Sequence, residues 1–445
     1  MDTNQKSLSI HPRSQEQVFK EEDVSRVLSP ELKKELKEAQ RKKEETDRLR
    51  ISLDQQFKSK FVFGNNLNRK QYSYSYDGPN PFLKYVHEST FDNQRNFGCK
   101  IAKSFVKNSQ LLNSIAIAPT QSGKTGSMLA TMYWFMRYDP IKLPRENIFI
   151  FTPHSSKEWL LQTRERFPKF FSSQIYHRNN LTSFIKRVKN LKNVLIIIDE
   201  CHIASKFNQT LHKMYIGLNL YNIKSAYERN IKLINFTATP EGLHTELKEH
   251  WKEACMVCDM DVPDNYLSHE KLQKDNRVFK IKDLCCYSRI TDSISPEAYE
   301  NIKEIIPHMG DEPKHHIIRT PRGEKHTMVI NNFRKVFGEL KKNYVYYSEP
   351  ELSKFQSMDE LMNTKPERHT FIFIKDKLRC AKTLNHKYLG VLYERWVQKT
   401  NSSCILQGLY GRLTGYHNNK TSVVFSVPID ELSYVFKHKT CMVPC

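Results

Sequence analysis

The sequence predicts an α/β protein built on parallel sheets. Short apolar runs recur at 115–118, 148–151, 194–198 and 233–236, the last broken only by Asn235, and they do not alternate. Helical patterns separate them at 156–167, 181–189 and 209–227. Strands apolar on both faces and spaced by helices are what a parallel sheet covered on both sides requires. A second series follows at 316–319, 344–347, 371–374, 390–393, 404–406 and 423–427, so a second sheet of the same kind is expected.

Length and composition bound the alternatives. A chain of 445 residues has room for two or three domains, each able to bury a core. Hydrophobic content of 39% and aromatic content of 11% fit a globular protein. No apolar run approaches the ~20 residues that cross a bilayer. The opening residues are polar and charged, so neither a membrane span nor a secretory signal is expected. Seventy Lys+Arg stand against 49 Asp+Glu, a net charge of +21. That balance points to a polyanionic partner, most economically DNA or RNA, although a generally basic proteome gives the same sign. Ten scattered cysteines without an export signal indicate free thiols in a reducing compartment, cytoplasm or nucleus. Cys255 and Cys258 form a lone C-x-x-C, and the adjacent Cys285 and Cys286 are awkward ligands for one tetrahedral ion, so structural zinc is not expected.

Five regions are expected: a charged helical extension and connector at 1–80, a first domain at 81–245, an interdomain segment or insertion at 246–310, a second domain at 311–436, and a tail at 437–445. Within the extension, Ser29-Pro30-Glu31 is a helix start, with a capping hydroxyl, Pro at the first helical position and acid in the first turn. The helix that follows has few apolar contacts and reads as a solvated face, with protein partners as the alternative. The stretch 82–109 reads as one helix.

The chemistry centres on 115–125, IAIAPTQSGKT. An aliphatic strand breaks at Pro119 into Thr120-Gln121-Ser122, and Gly123-Lys124-Thr125-Gly126 opens a helix. Strand, loop, helix is the context of a phosphate-binding loop. Loop N–H groups and the helix dipole favour phosphate, Lys124 would reach the β- and γ-phosphates, and Thr125 would offer a hydroxyl to Mg²⁺. Ala118 stands where the usual first glycine does. Upstream, the Gln94 carboxamide could read adenine, since it donates and accepts side by side. The strand at 194–198 runs into Asp199-Glu200-Cys201-His202. Two carboxylates directly after an aliphatic run have no place in a core. Asp199 would hold Mg²⁺ through water, and Glu200 would orient and deprotonate an attacking water. The next strand ends in Thr237-Ala238-Thr239-Pro240.

APTQSGKT, DECH and TAT at these spacings resemble motifs I, II and III of a superfamily 2 helicase of the DExH type, over 82–241. The resemblance implies two RecA-like lobes that close on ATP. It puts Thr152 and Pro153 where motif Ia touches a nucleic-acid backbone, and gives His202, Thr237 and Thr239 to coupling between ATP state and lobe movement. In QGLYGRLTG, Gln407 and Arg412 resemble motif VI, whose arginine finger faces the γ-phosphate. Gln407 lies one residue further from Gly411-Arg412 than in the family, and the second family arginine falls near Thr414 or Gly415. Arg379 and Lys382, in KDKLRCAKT, occupy a motif V-like position. KLR-x-x-KT and QGL-x-GRLTG are similar to viral and phage helicases, which adds a virus particle to the locations implied. The function implied is an ATP-dependent helicase or translocase on DNA or RNA. The alternatives are the motor of a restriction or repair nuclease, for which no carboxylate cluster stands outside the lobes, and a nucleic-acid-binding protein with a degenerate ATPase.

Overall fold

The computed structural model describes residues 81–138, 141–155, 157–201, 209–239, 250–285, 287–288, 293–340, 344–348, 351, 358–378, 384–398 and 401–432. The charged extension at 1–80 and the tail lie outside the described residues, as do His202, Arg379 and Lys382.

Six strands make the first sheet: β1 (Asn113–Ile117), β2 (Ile148–Thr152), β3 (Ile175–His177), β4 (Val194–Asp199), β5 (Ile231–Thr237) and β6 (Cys255–Asp259). They pair in the order β3-β2-β4-β5-β1-β6, every neighbour parallel. Continuous apolar runs serve two cores at once because side chains alternate across a strand. Ile148 and Ile150 of β2 enter one core with Phe97, Ile101 and Phe105 of the helix Asp92–Lys107. Phe149 and Phe151 enter the opposite core with Phe184 and Val188 of the helix Leu181–Val188.

Next come β7 (Val278–Lys280) and an antiparallel pair, β8 (Tyr287–Ser288) with β9 (Ser293–Ile294). The rest of the second sheet is β10 (His315–Arg319), β11 (Val345–Ser348), β12 (Thr370–Ile374), β13 (Leu389–Tyr393) and β14 (Val423–Ser426). Its order is β11-β12-β10-β13-β14-β7, again all parallel. The helix Glu324–Glu339 packs Phe333 and Phe337 against Phe371 and Phe373 of β12. The expected pair of parallel-sheet lobes in tandem is present, and both belong to one compact unit.

Several elements differ from the sequence reading. Residues 404–406, expected as a strand, lie within the helix Ser402–Gln407, whose first turn is capped by Asn401 Oδ1 accepting from Cys404 N at 3.0 Å. A short aliphatic run cannot be told from a buried helical turn by periodicity. The sixth place in that sheet is taken by β7 from 246–310, a region that also supplies β6 to the first sheet. The stretch 82–109 divides into Pro81–Ser89 and Asp92–Lys107, because Gln94 Oε1 accepts the Phe91 N–H at 3.2 Å and starts a new helix there. The stretch 209–227 divides into Thr210–Gly217 and Ile223–Glu228, with Asn219 at φ +54° between them. Cys255 and Cys258 stand three apart on β6, so they face opposite cores of the first sheet. Among the described residues, no helix is long and apolar enough to cross a membrane.

Candidate active site

Strands β4, β5 and β1 are parallel neighbours, so their carboxyl ends lie side by side at one edge of the first sheet. Each of the three sequence motifs begins where one of those strands stops. Ala118 N–H donates to Thr237 O at 2.9 Å, and Cys201 N–H donates to Phe236 O at 3.2 Å, which ties all three turns together. The loop after β1 needs two left-handed residues, Gln121 at φ +58° and Gly123 at φ +92°. Glycine takes that conformation freely; glutamine does so only when its surroundings impose it. Gly123 then leads into the helix Lys124–Arg137.

Gln94 is buried against this loop. Its Nε2 donates to Ser122 O at 3.1 Å, while its Oε1 is taken by Phe91 N–H. A Cβ at Gly123 would fall 1.9 Å from Gln94 Nε2, and one at Gly126 would fall 2.0 Å from its Oε1, so both glycines are needed for the carboxamide to lie there. The group expected to read a base thus braces the loop backbone in this structure. Ser122 turns its hydroxyl inward, donating to Pro119 O at 2.7 Å.

Lys124 Nζ meets Glu200 Oε1 at 2.6 Å. Glu200 is only 2% exposed and sits at φ +53°, a strained position for a residue with a Cβ. Asp199 Oδ2 accepts from Trp159 Nε1 at 3.0 Å, and Asp199 Oδ1 is buried with no hydrogen-bond partner among the described residues. Burial first, and then the Glu200 charge, push the Asp199 carboxyl up to about 6, against the opposing pull of Lys124 and the Trp159 N–H. Thr152 donates to the Asp199 carbonyl at 3.2 Å and accepts from His154 N–H at 3.3 Å. Thr152 and Pro153, expected at a nucleic-acid backbone, are both buried, and Thr152 acts as a brace for the acidic turn.

The second lobe reaches the same place. Gln407 Nε2 donates to Thr239 Oγ1 at 2.7 Å across the interface. Thr237 shapes that turn by donating to Thr239 O at 3.0 Å and accepting from Thr239 N–H at 3.1 Å. The extra residue between Gln407 and Gly411-Arg412 is absorbed by a break at Gly408, which separates Ser402–Gln407 from the helix Leu409–Arg412. A Cβ at Gly408 would lie 2.4 Å from Glu394 Oε2, the same oxygen that accepts the Leu409 N–H at 3.0 Å. Glu394 Oε1 pairs with Arg319 Nε at 2.6 Å in a buried ion pair. Arg319 also donates to Lys377 O at 2.8 Å and to Leu378 O at 3.2 Å.

These parts enclose a cavity of about 140 Å³. Thr120, Gln121, Gly123, Lys124, Thr125, Asp199 and Glu200 line it from the first lobe, and Gln407 and Arg412 from the second. Trp159, Thr163 and Arg166 complete the wall, and sequence reasoning did not single them out. Their spacing of four and then three residues places them on one face of the helix Lys157–Arg166, which was the signal available. The buried pair Arg319–Glu394 left no signal, since its members are 75 residues apart.

No protein-family model matches the sequence. It is 24% identical over 356 residues to the uncharacterized protein L594 of Acanthamoeba polyphaga mimivirus, covering 73% of this chain and 82% of that one. Among solved structures, the chain is similar to S. cerevisiae Dbp5 bound to RNA and ADP BeF3 (14% identity, TM-score 0.46, covering 78% and 87% of the two chains). It is also similar to the Escherichia coli DEAH/RHA helicase HrpB (13%, 0.44, 75% and 43%). A third is the Mycobacterium smegmatis helicase Lhr bound to ssDNA and AMP-PNP (12%, 0.42, 79% and 48%).

Proposed function

We propose that this chain is an ATP-dependent nucleic-acid helicase or translocase of the superfamily 2 DExH type, hydrolysing ATP between two RecA-like lobes. The observation that carries the reading is that residues of motifs I and II from one lobe and motif VI from the other line a single cavity. Loop N–H groups and Lys124 hold the phosphates. Thr125, together with the buried Oδ1 of Asp199, which has no hydrogen-bond partner among the described residues, fits a Mg²⁺ ion bound through water. Such an ion supplies positive charge at the phosphates when bound. Glu200 orients a water and takes its proton, and Arg412 offsets charge that develops on the transferred group. The Gln407–Thr239 hydrogen bond supports a role for Gln407, Thr239 and Thr237 in coupling the lobes. His202, Arg379 and Lys382 complete the coupling and nucleic-acid contacts in this reading.

The net charge of +21 supports a nucleic-acid track, DNA or RNA, and the mimivirus relative supports a viral branch. The free thiols of Cys99, Cys201 and Cys404 support a reducing, intracellular setting. The charged helix within 1–80 is proposed as a contact for protein partners. Steady-state ATP hydrolysis with single-stranded DNA, duplex DNA or RNA, at low and physiological salt, tests the reading. Stimulation by one polymer, weakening steeply with salt, is the expected result and names the track. Absence of hydrolysis with every polymer would overturn it.

A further inference from the structure

One backbone carbonyl of the phosphate loop carries contacts from outside its own lobe. Thr120 O accepts from the Tyr266 hydroxyl at 2.5 Å and lies 3.0 Å from Thr414 Oγ1. The Thr120 and Thr414 hydroxyls meet at 2.9 Å. Thr414 has one proton to give, and Gly411 O competes for it at 2.8 Å, while the Tyr266 hydroxyl makes the shorter contact on Thr120 O. Tyr266 is 2% exposed, Thr414 1% and Thr120 5%, so water does not stand in for any of these bonds. Tyr266 lies between β6 of the first sheet and β7 of the second. Its neighbour Leu267 exchanges two backbone hydrogen bonds with Gly415, at 2.9 and 3.0 Å. Thr414 and Gly415 are also where this chain departs from the two-arginine pattern of motif VI.

The carbonyl belongs to the peptide that enters Gln121, at φ +58°. In a planar trans peptide the C=O and N–H point in opposite directions, so holding Thr120 O fixes the direction of the Gln121 N–H. A left-handed glutamine persists only where its surroundings over-determine it.

We infer that Tyr266, assisted by Thr414, is a positioning residue that locks the 120–121 peptide and so shapes the loop for phosphate while the second lobe is docked. The inference rests on the nucleotide reading above. Docking and nucleotide affinity are then linked, and a polymer that favours docking tightens nucleotide binding by the same factor that nucleotide tightens the polymer.

Amide hydrogen exchange over 118–126 in the full chain, read beside the KM for ATP, tests this. Tyr266→Phe keeps the ring against Tyr416, 5.4 Å between centroids, and removes only the hydroxyl. Exchange of the loop amides should rise about tenfold, the scale of one lost hydrogen bond, with KM rising about tenfold and kcat nearly unchanged. Thr414→Val should act in the same direction and Thr414→Ser should not. Tyr416→Phe removes a different contact between the lobes, the bond Asn93 Nδ2 makes to Tyr416 Oη at 2.8 Å, and should leave loop exchange as it was. Unchanged exchange in Tyr266→Phe would overturn the inference. So would faster exchange without a change in KM, or an equal effect from Tyr416→Phe. A wild-type chain that binds no ATP would defeat the nucleotide reading instead, while the exchange comparison would still decide the clasp.

Discussion

In the first lobe, Lys124, Asp199, Glu200 and Thr239 leave the ends of three neighbouring parallel strands, on turns braced from elsewhere in that lobe by Gln94, Thr152 and Trp159. In the second lobe, Gln407 and Arg412 sit on two short helices broken at Gly408, and their placement depends on Glu394 and Arg319 from the ends of β13 and β10. One lobe brings its groups to the cavity from adjacent strand ends, the other from short helices held by a buried ion pair. Changes to first-lobe site residues should therefore remove chemistry and spare the fold. Changes to second-lobe supports should disturb fold and chemistry together.

The largest expected effect is at Glu200. Replacing it with Gln should lower turnover by about 10²–10⁴ while ATP binding and the melting temperature stay near wild type. Turnover, nucleotide titration and a melt on one preparation check this. Loss of folding would show that the first lobe also depends on its site residues.

Arg319→Ala comes next. It leaves Glu394 buried without its cation, at a cost of about 3–5 kcal/mol in denaturant unfolding. Arg319→Met with Glu394→Leu should recover most of that stability, because a buried ion pair can often be replaced by apolar groups. Turnover should stay low in the double variant, since Leu409 N–H loses the carboxylate that anchors the Arg412 helix. Full recovery of both would sever the proposed link.

Acid should weigh more on the second lobe, although burial also lowers His87 and His154 of the first. Burial holds His269 down to about 4 and His386 down to about 3, and burial with neighbouring positive charge holds His316 well below its ordinary value. Unfolded histidine takes a proton near 6.5 while these do not, so their contribution is complete above 6.5 and is lost as pH falls toward the folded values. The loss is about 1 kcal/mol per pH unit for each fully affected histidine. Asp199 acts oppositely: with its folded value raised to about 6, its contribution is complete below the unfolded value near 4 and is lost as pH rises through 6. Hydrogen exchange at pH 7 and pH 5 should show the second sheet loosening more than the first; equal loosening would contradict the assignment.

The smallest expected effect is Gly408→Ala. The added methyl presses on Glu394 Oε2 and should cost about 1–3 kcal/mol of second-lobe stability, with Arg412-dependent turnover falling further. A fall in stability alone would mean that the break at Gly408 matters only for packing.

Legibility followed the same division. The apolar runs of β2 and β4, and the apolar stretches within β1 and β5, were readable because a strand buried on both faces is mostly apolar. The edge strands β3, β6 and β7 escaped notice because they are short and half-exposed in part, with Asp259 and Lys280 at the ends of β6 and β7, whereas the edge strand β11 was readable. Gln94 was legible as a residue near the loop, but the direction of its carboxamide was not, since Phe91 N–H and Ser122 O take it only once the helix is packed.

By itself the sequence determined two parallel-sheet lobes and the residues Lys124, Thr125, Asp199, Glu200, Gln407 and Arg412 that line one cavity, because strand burial and turn chemistry act over a few neighbouring residues. Only the tertiary structure decided what holds those residues in place. Trp159 against Asp199, Arg319 against Glu394, and Tyr266 on Thr120 O join positions 40, 75 and 146 residues apart. Such pairings depend on how sheets and helices stack in space, and no local pattern of residues encodes them.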